Sequence, residues 1–85
     1  MVLRGVVGRI EWAHYEAARV EGYTVTRTAA DGWRLTARVI LADPFKLAQR
    51  PLRVVAPHAR GTWEWPITTI TIDAGTLTAR LGAPS

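Results

Sequence analysis

Two runs that alternate apolar with polar residues flank the tripeptide Ala30-Asp31-Gly32, and this arrangement constrains the fold more than any other feature of the chain. Tyr23-Thr24-Val25-Thr26-Arg27-Thr28 alternates and is rich in β-forming residues. Trp33, Leu35, Ala37, Val39 and Leu41 then recur at every second position, with Arg34, Thr36 and Arg38 between them. A three-residue loop built as a type I turn and closed by a left-handed Gly32 would join the runs as a hairpin. That loop pairs Val25 with Ala37 and Tyr23 with Val39, and it places both apolar sets on one face. A two-residue loop would put them on opposite faces, because side chains alternate with a period of two.

Gly and Pro punctuate the rest of the chain at short intervals: Gly5, Gly8, Gly22, Pro44, Pro51, Pro57, Gly61, Pro66, Gly75 and Gly82. Such spacing suits several short strands rather than long helices. Leu3–Trp12 reads as a strand, with Val6, Gly8, Ile10 and Trp12 sharing a parity. Ala13–Glu21 fits either a helical turn or a continuation of that strand. Asp43-Pro44 is a helix start, an N-cap followed by proline, so Phe45–Gln49 reads as a short helical turn. Leu52–Ala56 reads as a strand ended by Pro57. Near the C-terminus, a turn at Ala74-Gly75 brings Ile70 and Ile72 onto one face with Leu77, Ala79 and Leu81. Trp63, Trp65 and Ile67 have the opposite parity, which calls for a bulge or bend within Pro66–Thr69. The expectation is one mainly β domain over residues 1–85, a small barrel or sandwich of about six short antiparallel strands with one or two helical turns.

Composition removes several classes of function. With no cysteine, disulfides and thiolate metal sites are excluded, and two histidines do not make a structural zinc site. Ser85 is the one serine, at the extreme C-terminus, and no Gly-rich phosphate loop is present. His14 and His58, with Lys46 or an arginine to stabilise charge, are the remaining acid–base set, as in a metal-independent ribonuclease, but their spacing gives no sign that they meet. Asp31, Asp43 and Asp73 stand where turns and caps place aspartates. The reading is therefore non-enzymatic, with no catalytic residue, no cofactor and no metal. No run approaches the roughly 18–20 apolar residues of a membrane span, nor is there a signal-peptide pattern, so a cytoplasmic protein is expected.

The net charge is +4, and ten of the eleven cations are arginines. Arginine's planar fork matches phosphates and carboxylates, although the scarcity of lysine and absence of asparagine also fit the coding bias of a GC-rich genome. The candidate partner-binding residues are Trp63 and Trp65, Arg34 and Arg38 on the polar face of the first hairpin, and Arg60 in the Ala59-Arg60-Gly61 loop. Arginines paired with acidic groups would favour a protein partner. One uninterrupted arginine face would favour nucleic acid.

Two segments, Asp43–Pro57 (DPFKLAQRPLRVVAP) and Gly61–Ile67 (GTWEWPI), resemble parts of small prophage-encoded proteins of unassigned chemistry, and together they span about a quarter of the chain. In size and character the chain is also similar to anti-CRISPR inhibitors, which occupy a surface of a host nucleoprotein complex. Those inhibitors share no motif, so the resemblance assigns no residue a role. It implies a host protein or nucleoprotein complex as partner, with homodimer formation, nucleic-acid binding and a phage structural role as alternatives.

Overall fold

The computed structural model describes residues 1–84, and six strands with one helical turn account for most of them. The strands are β1 (Val2–Trp12), β2 (Tyr15–Thr28), β3 (Gly32–Ala42), β4 (Leu52–His58), β5 (Gly61–Asp73) and β6 (Thr76–Leu81); α1 (Pro44–Leu47) lies between β3 and β4. Every pairing is antiparallel, and the order β1-β2-β3-β6-β5-β4 closes into a barrel where β4 meets β1. Two three-stranded meanders thus form the two halves of the wall, joined by the crossover that holds α1. In α1, the Asp43 carboxylate caps by accepting from the Lys46 N–H at 3.2 Å. Ala13–Glu21 resolves into a tight turn at Ala13-His14 followed by strand, not helix.

The first hairpin keeps its expected face but not its expected partners. Its ladder ends with Thr28 opposite Gly32, so the loop is Ala29-Ala30-Asp31, one residue earlier than the alternation suggested. The Thr28 hydroxyl accepts from the Asp31 N–H at 3.0 Å and fastens that closure. Val25 consequently lies opposite Leu35 rather than Ala37. A shift of two leaves every side chain on its own face, which is why the apolar sets still coincide. Val39 lies opposite Val20, not Tyr23, because the loop shift moves its partner by two positions and a bulge in β2 between Glu21 and Thr24 moves it by one more.

That bulge allows one 14-residue strand to bend around the barrel. Gly22 takes φ +59°, a left-handed conformation costly for any residue with a Cβ. Val20 and Tyr23, three positions apart, can then both point inward. Further irregularities between Ile10 and Glu11 on β1, and between Arg19 and Val20, accompany the burial of the adjacent pair Ala17 and Ala18. On β5 the register shifts between Ile67 and Thr69, within the segment where opposing parities required it. β4 runs past Pro57 to His58, since Pro57 still lies opposite Thr62 in the ladder.

The core is a single cluster that includes Ile10, Val20, Tyr23, Val25, Leu35, Leu52, Val54, Trp65 and Leu77, and it holds no buried charge among the described residues. Trp65 stacks on Trp63 at 5.8 Å between ring centroids and meets Trp33 at 6.1 Å. Tyr23 closes the other side of the interior. Its ring occupies the space that a Cβ at Gly5 would need, 2.0 Å from that position, and its hydroxyl donates to the Pro57 carbonyl at 3.1 Å. Burial raises the Tyr23 phenol above its ordinary pKa.

Gly5→Ala should therefore lose about 1–3 kcal/mol through overpacking in urea denaturation. Gly8→Ala should lose less, since its methyl would lie 3.4 Å from the ring. A raised phenol pKa means that the unfolded chain loses its proton first. Stability should hold below about pH 10 and fall as pH rises through the folded pKa, and Tyr23→Phe should weaken that alkaline loss.

Candidate functional site

Three regions of the surface carry unusual chemistry, and the barrel geometry creates each of them. The first is an open seam. β1 and β4 pair only between Arg9–Trp12 and Leu52–Val55. Among the described residues, Val2–Val7 pair with β2 alone, which leaves the outer edge of that half-strand without a neighbour. Val2, Val6 and Val7 are all exposed there, Val6 at 79%. A run of unpaired backbone donors and acceptors flanked by apolar side chains is a template for another strand.

The second region lies at the crossover. β6 stops pairing with β3 at Arg38, so Ile40 and Leu41 extend beyond it and are exposed, as are Phe45 on α1 and Tyr15 at the start of β2. Lys46 Nζ sits 5.5 Å from the Tyr15 ring centroid and 3.5 Å from an Asp43 carboxylate oxygen. Hydrogen bonding from the Lys46 backbone N–H, with the Lys46 charge assisting, holds the Asp43 carboxyl below its ordinary pKa against slight desolvation.

The third region is the outer face of β2, β3, β6 and β5. Cross-strand register assembles two rows: Arg4–Thr24–Thr36–Thr78–Thr71, and beside it Val2–Thr26–Arg34–Arg80–Thr69. Arg38, Thr76 and Asp73 continue it at one end. The bulge at Thr68 turns Thr69 outward beside Arg80, while the Thr68 hydroxyl donates to the Arg80 carbonyl at 3.1 Å.

The cations divide between these regions. Arg38 pairs with Glu21, and Arg19 with Glu16 at 2.9 Å. Arg9 and Arg53 both hold Glu11, and Arg53 also donates to the Ala13 carbonyl at 2.6 Å, tying β1, β4 and the first turn together. Partial burial works to raise the Glu11 pKa, but the hydrogen bonds and charges of Arg9 and Arg53 outweigh it and lower the carboxyl below its ordinary range. Arg27 lies 5.6 Å over the Trp33 ring, and Arg50 donates to the Leu47 and Gln49 carbonyls. Among the described residues, Arg4, Arg34, Arg60 and Arg80 have no carboxylate within ion-pair distance.

The residues singled out from the sequence therefore scatter. Arg34 stands on the threonine face, whereas Arg38 on the same strand is neutralised by Glu21. Arg60 lies in the β4–β5 turn, its backbone N–H directed at His58 Nδ1 at 3.4 Å. Trp65 is fully enclosed and belongs to the core, while Trp63 is half-buried against it and edge-on to His58. His14 and His58 are not brought together. Trp12 lies opposite Leu52, so His14 is at the start of β4, and His58 is six residues along, roughly 20 Å away at 3.3 Å per residue. No group of acidic or histidine side chains among the described residues could hold a metal ion, and no helix is long and apolar enough to cross a membrane. The valine edge and the partnership of Arg34 with Arg80 depend on strand order, which local patterning does not encode.

No known family model, curated protein or solved structure matches the chain.

Because the folded pKa of Glu11 is lowered, its contribution is present above the ordinary carboxylate range near 4.3 and is lost as pH falls through the folded value. Glu11→Gln should cost about 1–3 kcal/mol at pH 7, and its urea midpoint should change less between pH 7 and pH 3 than that of the parent.

Proposed function

We propose that this protein is a non-enzymatic binding module that attaches to a protein partner by adding a strand at the outer edge of β1. The observation that carries this reading is the unpaired, valine-lined half-strand Val2–Val7 in an otherwise closed barrel. A natural barrel removes sheet edges, and one that keeps an apolar edge keeps a place for main-chain hydrogen bonding to another chain. Arg4 is the one charged residue between Val2 and Gly8, so the edge repels an incoming extended segment little. The pairing of Arg9, Arg19, Arg38 and Arg53 with glutamates also fits a protein partner, since it leaves much of the basic charge already compensated.

In its finer form, the partner is a host defence nucleoprotein complex and the protein is a phage-encoded inhibitor of it. The likeness of two segments to prophage-encoded proteins supports that choice, and the inhibitor works by covering a surface the complex needs.

Target-DNA cleavage by reconstituted RNA-guided effector complexes, with and without the protein, tests both levels. The expected result is inhibition by the parent protein and at least a tenfold weaker effect for Val6→Lys, whose site is exposed enough to leave the fold within about 0.5 kcal/mol of the parent. Inhibition unchanged in Val6→Lys would remove the edge from the mechanism. No inhibition of any complex, with a concentration-dependent dimer in sedimentation that Val6→Lys abolishes, would reassign the edge to self-association.

A further inference from the structure

Arg34 on β3 and Arg80 on β6 are direct cross-strand partners, and both are exposed. Opposed like charges destabilise a sheet, and here no carboxylate among the described residues relieves them. Beside them is a shallow pocket of about 120 Å³ lined by Arg34, Thr69, Thr71, Thr78, Ala79 and Arg80. None of the Thr69, Thr71 and Thr78 hydroxyls is engaged in a hydrogen bond with another described residue, whereas Thr68 next to them is. The pocket thus presents two guanidinium forks and three hydroxyl donors without an acceptor, which is the donor set of an oxyanion site.

We infer that this pocket binds a phosphate group of a nucleic-acid backbone. Its size holds one phosphate and its open shape leaves both ester oxygens room to continue into a strand. The adjoining row Arg4–Thr24–Thr36–Thr78–Thr71 extends the donor surface across five strands, with a third uncompensated guanidinium at its end. Of the acidic groups in the neighbouring row, Glu21 is held by Arg38, and Asp73 stands two residues along β5 from Thr71, on the side of the pocket away from Arg34 and Arg80. Trp65 is enclosed and Trp63 is packed against it, so bases gain no aromatic platform there and recognition is of the backbone alone. Binding is accordingly independent of sequence and limited to a few phosphates. This inference does not rest on the β1 edge.

Fluorescence anisotropy with labelled single- and double-stranded DNA and RNA, titrated from 50 to 200 mM salt, provides the test. A plot of log affinity against log salt should fall with a slope of about −1.4 to −2.7, as expected for two or three neutralised phosphates. Arg34→Ala/Arg80→Ala should weaken binding at least tenfold at 50 mM salt for every sequence. The charge-matched control Arg50→Ala/Arg60→Ala should retain most of the affinity. Equal loss in both double variants, or no binding by the folded parent at 50 mM salt, would overturn the inference. Inorganic phosphate, followed by amide shifts, separates the sources: shifts at Thr69, Thr71, Thr78 and Arg80 without strand binding would make this a site for free phosphate and overturn the backbone assignment.

Discussion

The barrel depends on how it closes where its wall is incomplete. β1 and β4 separate after four paired residues on each side, and an aromatic side chain spans the gap from within. Tyr23 does so because Gly22 rotates it inward, Gly5 leaves space for its ring, and Pro57 supplies an acceptor across the seam. A larger residue at position 5 would force the wall apart. A second tie comes from charge: Glu11 on β1 links Arg53 on β4 at the paired end of the same seam. Together these contacts tie the seam across the core while the backbone edge outside remains unpaired, which is the condition on which the proposed docking edge rests.

Much of the architecture was legible because burial on one face imposes a period of two. Alternation in Tyr23–Thr28 and Trp33–Leu41 gave the hairpin, and conflicting parity between Trp65 and Ile70 placed a bulge where the register does shift. The bulge at Gly22 had a signal that was missed, the odd spacing of the apolar Val20 and Tyr23. The loop at Ala29–Asp31 was not legible, because a shift of two moves no side chain to the other face and the pattern is the same under either pairing. The same ambiguity hid Arg80 from Arg34, since proximity between β3 and β6 is a matter of strand order, and order is set by the whole core rather than by a local signal. Composition alone could not separate Trp65 from a surface tryptophan; its enclosure by Trp33 and Trp63 does.

The surface keeps two chemistries apart. Backbone groups and valines are concentrated along β1, and uncompensated guanidiniums stand among threonine hydroxyls on β3, β6 and β5, with β2 between them. Val2 and Arg34 even share a cross-strand row, two strands apart, or roughly 10 Å at ordinary strand spacing. A nucleoprotein partner could therefore meet both regions at once, protein at the seam and phosphate on the face. Two modest contacts held on one rigid sheet reinforce each other without either being strong alone.

The crossover through α1 has a consequence for how the molecule forms. Each meander is local in sequence, but the joins that shut the barrel, β3 to β6 and β1 to β4, link positions far apart in the chain, as Arg9 is to Val55 and Trp33 to Leu81. Neither half can cover its inner face before the other has been made. A chain emerging from the ribosome therefore carries Ile10, Val20, Val25 and Leu35 uncovered until most of its length is out. Such long-range closure places folding in the slow range of milliseconds to seconds typical of β-barrels, and during that interval the valine edge of β1 is most vulnerable to the wrong neighbour.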